Sequence, residues 1–364
     1  MKVLIAPDSF KGTASATAVS GALAAGWSAA RAGDDIIALP QADGGEGTCA
    51  AVAASGDWRW CQSEVDGPDG RPVSARWLLD RDGQRAVIEL AEPCGIALLD
   101  RLDPWRADTY GLGRLIGAAL AAGARSVQIG LGSSASTDGG AGALMALGLK
   151  AFDASGRPIG RGARGLRTVA HVDIDGLAAK PTGGVELLVD TAAALCGPQG
   201  AAAAFGPQKG ATPVDVEQLD DGLARWARIL NAAGLQADPD TPGAGAAGGA
   251  GFGLMAWGAD ATSGSQRIAE LTGLEAELAT ADLVLTGEGR FDGTSWTGKL
   301  VGYVLDAAAR HGVPALVVAG QVAARCAVPA VSLTDIAGSA EAAMADPSRW
   351  LRTAGSVAAQ RSTG

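Results

Sequence analysis

Carboxylates and lysines set among glycines, directly after short apolar runs, are the residues of this chain that could do chemistry. Asp8 and Lys11 lie in Ala6-Pro7-Asp8-Ser9-Phe10-Lys11-Gly12, and Asp43 and Glu46 surround Gly44 and Gly45. Gly132, Ser133, Ser134 and Asp138 fall in the run GLGSSASTDGGAG, Asp190 follows an apolar stretch, and Gln208 and Lys209 sit in GPQKGA. Glu288, Arg290 and Asp292 belong to TGEGRFD, with Lys299 shortly after. Backbone amides in glycine turns can cradle an anion, and lysines with carboxylate-held Mg²⁺ can neutralise it. Those are the parts phosphoryl transfer needs, because positioning and charge neutralisation dominate its barrier. Only two histidines exist, His171 and His311, and neither lies in these runs. Serine-histidine hydrolysis and histidine-ligated metals therefore find little support.

Each residue has a plainer alternative. Asp8, Asp43 and Asp138 could be helix N-caps or turn formers. Lys11, Lys209 and Lys299 could be solvated surface charges, and Glu288 with Arg290 an exposed ion pair. Three familiar fingerprints also overlap these loops. Gly130-Leu131-Gly132-Ser133-Ser134-Ala135 satisfies a dinucleotide pattern with Asp153 about 20 residues on, but no second strand clearly ends at Asp153. The same string resembles the phosphate loop of galactokinase-like kinases, whose other motifs are missing. Gly293 to Lys299 mimics a Walker loop, but Leu300 replaces its Ser or Thr, and the preceding strand is expected to end several residues too early.

The elements that must position these groups read as short apolar strands alternating with alanine-rich helices. Val3 to Ala6, Ile36 to Leu39, Val127 to Ile129, Glu186 to Val189, Leu283 to Thr286 and Leu316 to Ala319 suggest parallel βα units. Trp58 to Val65, Val73 to Leu79 and Arg85 to Leu90 are joined by Asp- and Gly-rich turns and suggest an antiparallel meander. A helix is expected after Pro213, where Val216, Leu219, Leu223, Trp226 and Leu230 recur at helical spacing. Residues 238–258, rich in Gly and Ala, read as a close-packed loop facing a ligand as readily as a linker. Boundaries near Ser55 to Asp57 and near Thr280 would make one domain from residues 1–56 and 281–364, with 57–280 inserted.

At 364 residues, 48% hydrophobic and 19% charged, the chain has material for about two packed domains. Its formal charge of -10 would repel a phosphate backbone, so nucleic acid is not an expected partner. The five cysteines include no Cys-x-x-Cys pair and are expected to be reduced. No apolar run is long enough for a membrane span or a signal-peptide core, which points to the cytoplasm.

Read in order, APDSFKGTASA, QADGGEGT, TYGLGRLI, GLGSSASTDGGAG, FGPQKGA, GAGAAGGAGFGL and TGEGRFD with its trailing Gly-Lys resemble the motifs of the glycerate kinase family across nearly the whole chain. The resemblance implies an α/β fold of two domains, one a flavodoxin-like parallel sheet and one a mixed sheet, with the substrate cleft between them. It implies ATP and Mg²⁺ as cofactors, D-glycerate as the small-molecule acceptor, and 2-phosphoglycerate as the expected product; whether the protein is a homo-oligomer stays open. Under that reading Asp190, Lys11, Lys209 and Lys299 are candidate catalytic residues. Asp8, Arg290, Glu288, Asp292, Ser134, Asp138 and Gln208 are candidate substrate contacts. Gly44, Gly45, Gly132 and Ser133 would serve the nucleotide, and Asp43 with Glu46 the metal. Asp190 is the expected base or orienter, since the end of a buried strand would raise its basicity. The chain departs from the family pattern at Ala193, where Asn is usual, at Thr137, where Asn is frequent, and at Thr294, where Gln is expected. Lost polar contacts could shift the acceptor to a related hydroxy acid or leave a sensor without turnover.

Overall fold

The computed structural model describes residues 1–296, 299–323 and 327–362. Thr297 and Gly298 of the Walker-like string, and Cys326, lie outside them. In chain order the described strands are β1 (Lys2–Ile5), β2 (Asp35–Ala38), β3 (Trp58–Asp66), β4 (Pro72–Asp80), β5 (Arg85–Glu89), β6 (Ser126–Gly130) and β7 (Lys150–Asp153). There follow β8 (Val169–Asp173), β9 (Val185–Val189), β10 (Asp260–Ser263), β11 (Leu283–Phe291), β12 (Ala315–Val322) and β13 (Ala330–Ser332). The chain divides into two compact units, residues 1–43 with 50–56 and 264–364, and residues 44–49 with 57–263.

The first unit is built on a parallel sheet in the order β2-β1-β11-β12-β13. Renumbered within the unit this is 2-1-3-4-5, the flavodoxin-like order. Alternation along the strands supplies both faces. Val3, Ile5, Leu283 and Leu285 enter one core with Leu23 and Trp27 of the helix Ala16–Ala30 and Leu351 and Ala358 of the helix Pro347–Arg361. Leu4 and Val284 face the other way, onto Leu300 and Val304 of the helix Leu300–His311 and onto Ala269, Leu274 and Leu278. That last packing is why residues 264–280 fold with the first unit, so the sequence-based boundary near Thr280 lies too late. The two helices on the first face meet backbone to backbone: a Cβ on Gly26 would lie 1.9 Å from the Arg352 carbonyl oxygen.

The second unit carries a mixed sheet in the order β10-β9-β6-β5-β4-β3, parallel from β10 to β5 and antiparallel through β4 and β3. The meander expected from Trp58 to Leu90 is therefore present, with β5 as its link to the parallel strands. The helix Pro213–Ala232 opens with a capping box, in which the Thr212 hydroxyl accepts the Asp215 amide while the Asp215 carboxylate accepts the Thr212 amide. It buries Leu219, Leu223, Trp226 and Leu230. Residues 246–256 are a buried helix whose first turn contains left-handed Ala247, Gly248 and Gly249, close-packed as expected but helical where a loop or linker was expected. A strand does end at Asp153, contrary to expectation, but β7 pairs antiparallel with β8 in a separate two-stranded sheet. It is not a parallel neighbour of β6, and the dinucleotide pattern lacks its βαβ unit.

Candidate active site

In the first unit, the loops after β1 and β2 and the end of β11 gather the charge. A topological switch point lies between β1 and β11, where an open parallel sheet leaves its ligand crevice. Beyond β1 the chain stays against β11, with the Asp8 amide donating to the Gly287 carbonyl at 2.8 Å. Asp8 is half-buried, and its Oδ1 accepts the Ser9 amide at 2.6 Å. Burial, and then the neighbouring Asp43 carboxylate, push Asp8 up to about 7, against the opposing pull of the Ser9 amide and Lys11. Lys11 reaches Asp43 Oδ2 at 3.4 Å, and Asp43, followed by burial, which opposes it, governs the rise in its own proton affinity. With 80% of its side chain exposed, Lys11 gains little from that pairing in water. Glu288 is raised by burial, and its Oε1 is buried with no hydrogen-bond partner.

The rest of TGEGRFD is more local. Asp292 Oδ1 accepts both the Thr294 amide at 2.9 Å and its hydroxyl at 2.7 Å, which hold the carboxyl below its usual range. Asp292 thus forms its own turn. Exposed Arg290 reaches Gln321 and Asp292, and exposed Lys299 donates to Thr294 Oγ1 at 2.9 Å. β11 runs on to Phe291, and Lys299 is the N-cap of the helix Leu300–His311. The strand does not stop early, so that ground for setting aside a Walker loop falls. The other ground stands: Leu300 is buried apolar core where a hydroxyl would have to face magnesium.

In the second unit, glycine lets two loops touch. A Cβ on Gly130 would lie 2.4 Å from the Gly44 carbonyl oxygen, and one on Gly132 2.4 Å from Gly45 Cα. Gly44 has φ +88 and its Cβ would collide with Leu188, so only glycine serves there. Ser133, at φ +56, is exposed in a left-handed conformation that non-glycine residues rarely adopt. Its neighbours hold it there: the Ile96 amide donates to the Ser133 carbonyl at 2.9 Å, and the Ala135 amide to the Cys94 carbonyl at 2.9 Å. Glu46 is exposed on the adjoining loop.

Lys209 and Asp138 lie beneath these loops. Lys209 is 2% exposed and donates to Ser134 Oγ at 2.7 Å and to the Ser136 carbonyl at 2.5 Å. Burial pushes its amine down to about 7, with Asp138 opposing. Asp138, 0% exposed, accepts from the Thr109 amide and hydroxyl and from the Gly140 and Gly142 amides. Both groups brace the serine-glycine loop from inside. Gln208 is exposed beside them. Asp190 is also exposed, not buried as its place at a strand end suggested, with Ser263 Oγ 3.4 Å from Oδ1. Thr137 is fully buried, and its difference from the family pattern faces the interior. Ala193 is half-buried, its amide donating to Thr191 Oγ1.

Sequence reasoning missed Glu89. It is 6% exposed at the end of β5, where Oε1 accepts the Cys49 amide at 2.6 Å and Oε2 the Gly47 amide at 3.1 Å. The available signal was a lone acid closing the apolar run Ala86-Val87-Ile88.

A flavodoxin-like sheet with carboxylates at its switch point, and a mixed sheet whose strand ends carry glycine loops, define an α/β protein of the kind that binds small anionic ligands at strand termini. The chain belongs to the glycerate kinase family, whose model matches residues 3–362. It is 41% identical over 326 residues to the glycerate kinase of Bacillus subtilis (strain 168), covering 88% of this chain and 85% of that one. Against the glycerate 2-kinase of Escherichia coli (strain K12) it is 39% identical over 327 residues, covering 88% and 86%. A crystal structure from Salmonella typhimurium LT2, described provisionally as glycerate kinase 2, superposes with a TM-score of 0.85 at 38% identity, covering 100% of this chain and 98% of that chain. Among the described residues no helix is long and apolar enough to cross a membrane.

Proposed function

We propose that this protein transfers the γ-phosphoryl group of ATP to the 2-hydroxyl of D-glycerate. The observation that carries the reading is the cluster of Asp8, Asp43 and Glu288 with Lys11 at the switch point of the first unit's sheet, in a chain of this family. Asp8 fits the role of base better than Asp190. It is partly desolvated and held near neutrality, where a base is most effective, and one of its oxygens carries only the Ser9 amide. As the acceptor hydroxyl attacks the γ-phosphorus, its proton passes to Asp8 and the bond to the β,γ-bridging oxygen breaks, releasing ADP. Arg290 and Lys11 are exposed cations suited to the glycerate carboxylate.

Among the described residues no three acidic, histidine or cysteine side chains form a set that could hold a metal alone. The donor chemistry nevertheless suits Mg²⁺, which takes hard oxygens and is commonly held by one or two carboxylates completed by phosphate and water. The buried, unpartnered Glu288 Oε1 is such an oxygen. Asp43 and Glu288 would hold the ion, and the ion would neutralise charge on the transferring group. Gly44, Gly45, Gly132 and Ser133 would line the nucleotide phosphates. A reaction that consumes ATP fits the cytoplasm.

The test is ADP release by purified protein against a panel of small hydroxy acids, with and without EDTA, and phosphorus NMR of the product. Glycerate-dependent, EDTA-sensitive release with 2-phosphoglycerate formed is expected; turnover unaffected by EDTA sinks the metal assignment. The methyl group of Ala193 in place of an amide favours one second reading, a related hydroxy acid as acceptor. Higher kcat/KM for another acid would establish it, and nucleotide binding with no turnover on any acid would make the protein a sensor.

A further inference from the structure

We infer that Glu89 is a positioning residue for the phosphoryl transfer: from the end of β5 it fixes the backbone of the Gly44–Cys49 loop. The inference rests on the proposal that this loop faces the nucleotide.

Both oxygens of one buried carboxylate are spent on amides of that single loop, at Gly47 and Cys49. Burial is the main influence on the proton affinity of Glu89 and raises it; the Cys49 and Gly47 amides lower it, and Glu92 and Glu46 raise it. Among the described residues no cation forms an ion pair with it, and it accepts its hydrogen bonds from the two loop amides. Burying a carboxylate without a counter-ion is costly, and hydrogen bonds must offset it. An apolar side chain would fill the same space but leave two inward-facing N–H groups without acceptors. The loop has few means of its own for holding a shape. Gly44 and Gly47 both have positive φ, and glycine contributes no side chain to anchor them. Thr48 closes one turn, donating from Oγ1 to the Gly45 carbonyl at 2.8 Å. Glu89 fixes the following turn. With two amides drawn inward and Gly130 and Gly132 pressed against Gly44 and Gly45, the outward-facing backbone and exposed Glu46 keep one arrangement. Glu89 therefore acts through the loop and touches no ligand itself.

Glu89→Gln keeps the shape, retains one acceptor and turns an N–H donor toward the other amide. The measurements are KM for ATP, KM for glycerate, kcat, and ADP affinity by calorimetry, with the melting temperature as a check on folding. Expected are a rise of about tenfold or more in KM for ATP and in Kd for ADP, the range set by losing one hydrogen bond to a charged group, and a change under about twofold in KM for glycerate. A purely structural glutamate would lower the melting temperature without splitting the two KM values. Glu46→Ala tests the loop separately. If it weakens ATP or ADP while Glu89→Gln leaves both unchanged, the inference is overturned and the loop reading survives. If neither variant affects the nucleotide, the loop reading fails and takes the inference with it. Should Glu89→Gln lose its cooperative melt, Glu89→Asp, which keeps the charge but shortens the reach, is put through the same comparison and decides.

Discussion

Replacing Asp138 with alanine separates an internal brace from a ligand contact. The carboxylate is fully buried and accepts the Thr109, Gly140 and Gly142 amides at 2.9, 3.2 and 3.1 Å, with the Thr109 hydroxyl besides. Alanine leaves all three amides without that acceptor. Each buried donor so stranded costs about 1–3 kcal/mol, and after partial relaxation the sum is about 4 kcal/mol. For a domain of this size that corresponds to a fall of about 8–16 °C in melting temperature. Asp138→Asn keeps one acceptor oxygen and should lose about half as much. The assay is thermal unfolding by circular dichroism, with hydrogen exchange of the peptide carrying Gly140 and Gly142 to place the loss. In a two-unit chain a single global transition is not guaranteed, which makes the local readout necessary. The reasoning is refuted if Asp138→Ala melts within roughly 2 °C of wild type while KM for glycerate rises, because the carboxylate would then have been serving the ligand.

The folded-state value of Asp8, about 7, lies above its ordinary 3.8, so its contribution to stability is complete below the lower value and lost as pH rises through the upper one. Urea titrations of ligand-free protein between pH 4 and 8 should show that decline, and Asp8→Asn should flatten it; kcat should fall below pH 7 as the base gains its proton. Lys209 has the opposite sign: its folded value, about 7, lies below its ordinary 10.5, so its contribution is complete above the higher value and lost as pH falls to the lower. Lys209→Met should abolish that slope between pH 8 and 10, and an unchanged slope would mean the amine is not desolvated. Gly132→Ala should raise KM for ATP more than it changes the melting temperature, since its methyl group would displace the Gly45 backbone; equal effects on both would point to global damage.

Much of the fold was legible because its signals are periodic and local. Val3 to Ala6 and Leu283 to Thr286 are apolar runs that need no context to read as strands, and the capped helix after Pro213 has an explicit start. What sequence hid was direction and depth. Asp190 and Lys209 both follow apolar or glycine-rich stretches, yet the first is exposed and the second buried. Nothing in their neighbours distinguishes them, because burial is decided by segments far along the chain. Asp138 shows the same limit: its capping and ligand-binding readings share one pattern, and only the converging amides of Thr109, Gly140 and Gly142 separate them. Glu89 went unread because an acid at a strand end carries no motif, and its meaning lies in two amides about forty positions earlier. Residues 246–256 misled through composition: glycine and alanine permit a loose linker or the closest packing equally well.

The first unit's sheet takes its central strand β11 from late in the chain and β1 and β2 from its start, so the Lys2 amide meets the Asp282 carboxylate across 280 residues of sequence. At a synthesis rate of about 5–20 residues per second, β1 emerges roughly 15–60 s before its partner β11 exists. During that interval the ribosome delivers the whole second unit, which has every strand of its own sheets to hand. A nascent chain of this protein can therefore complete both sheets of its second unit while β1 still lacks its neighbour β11.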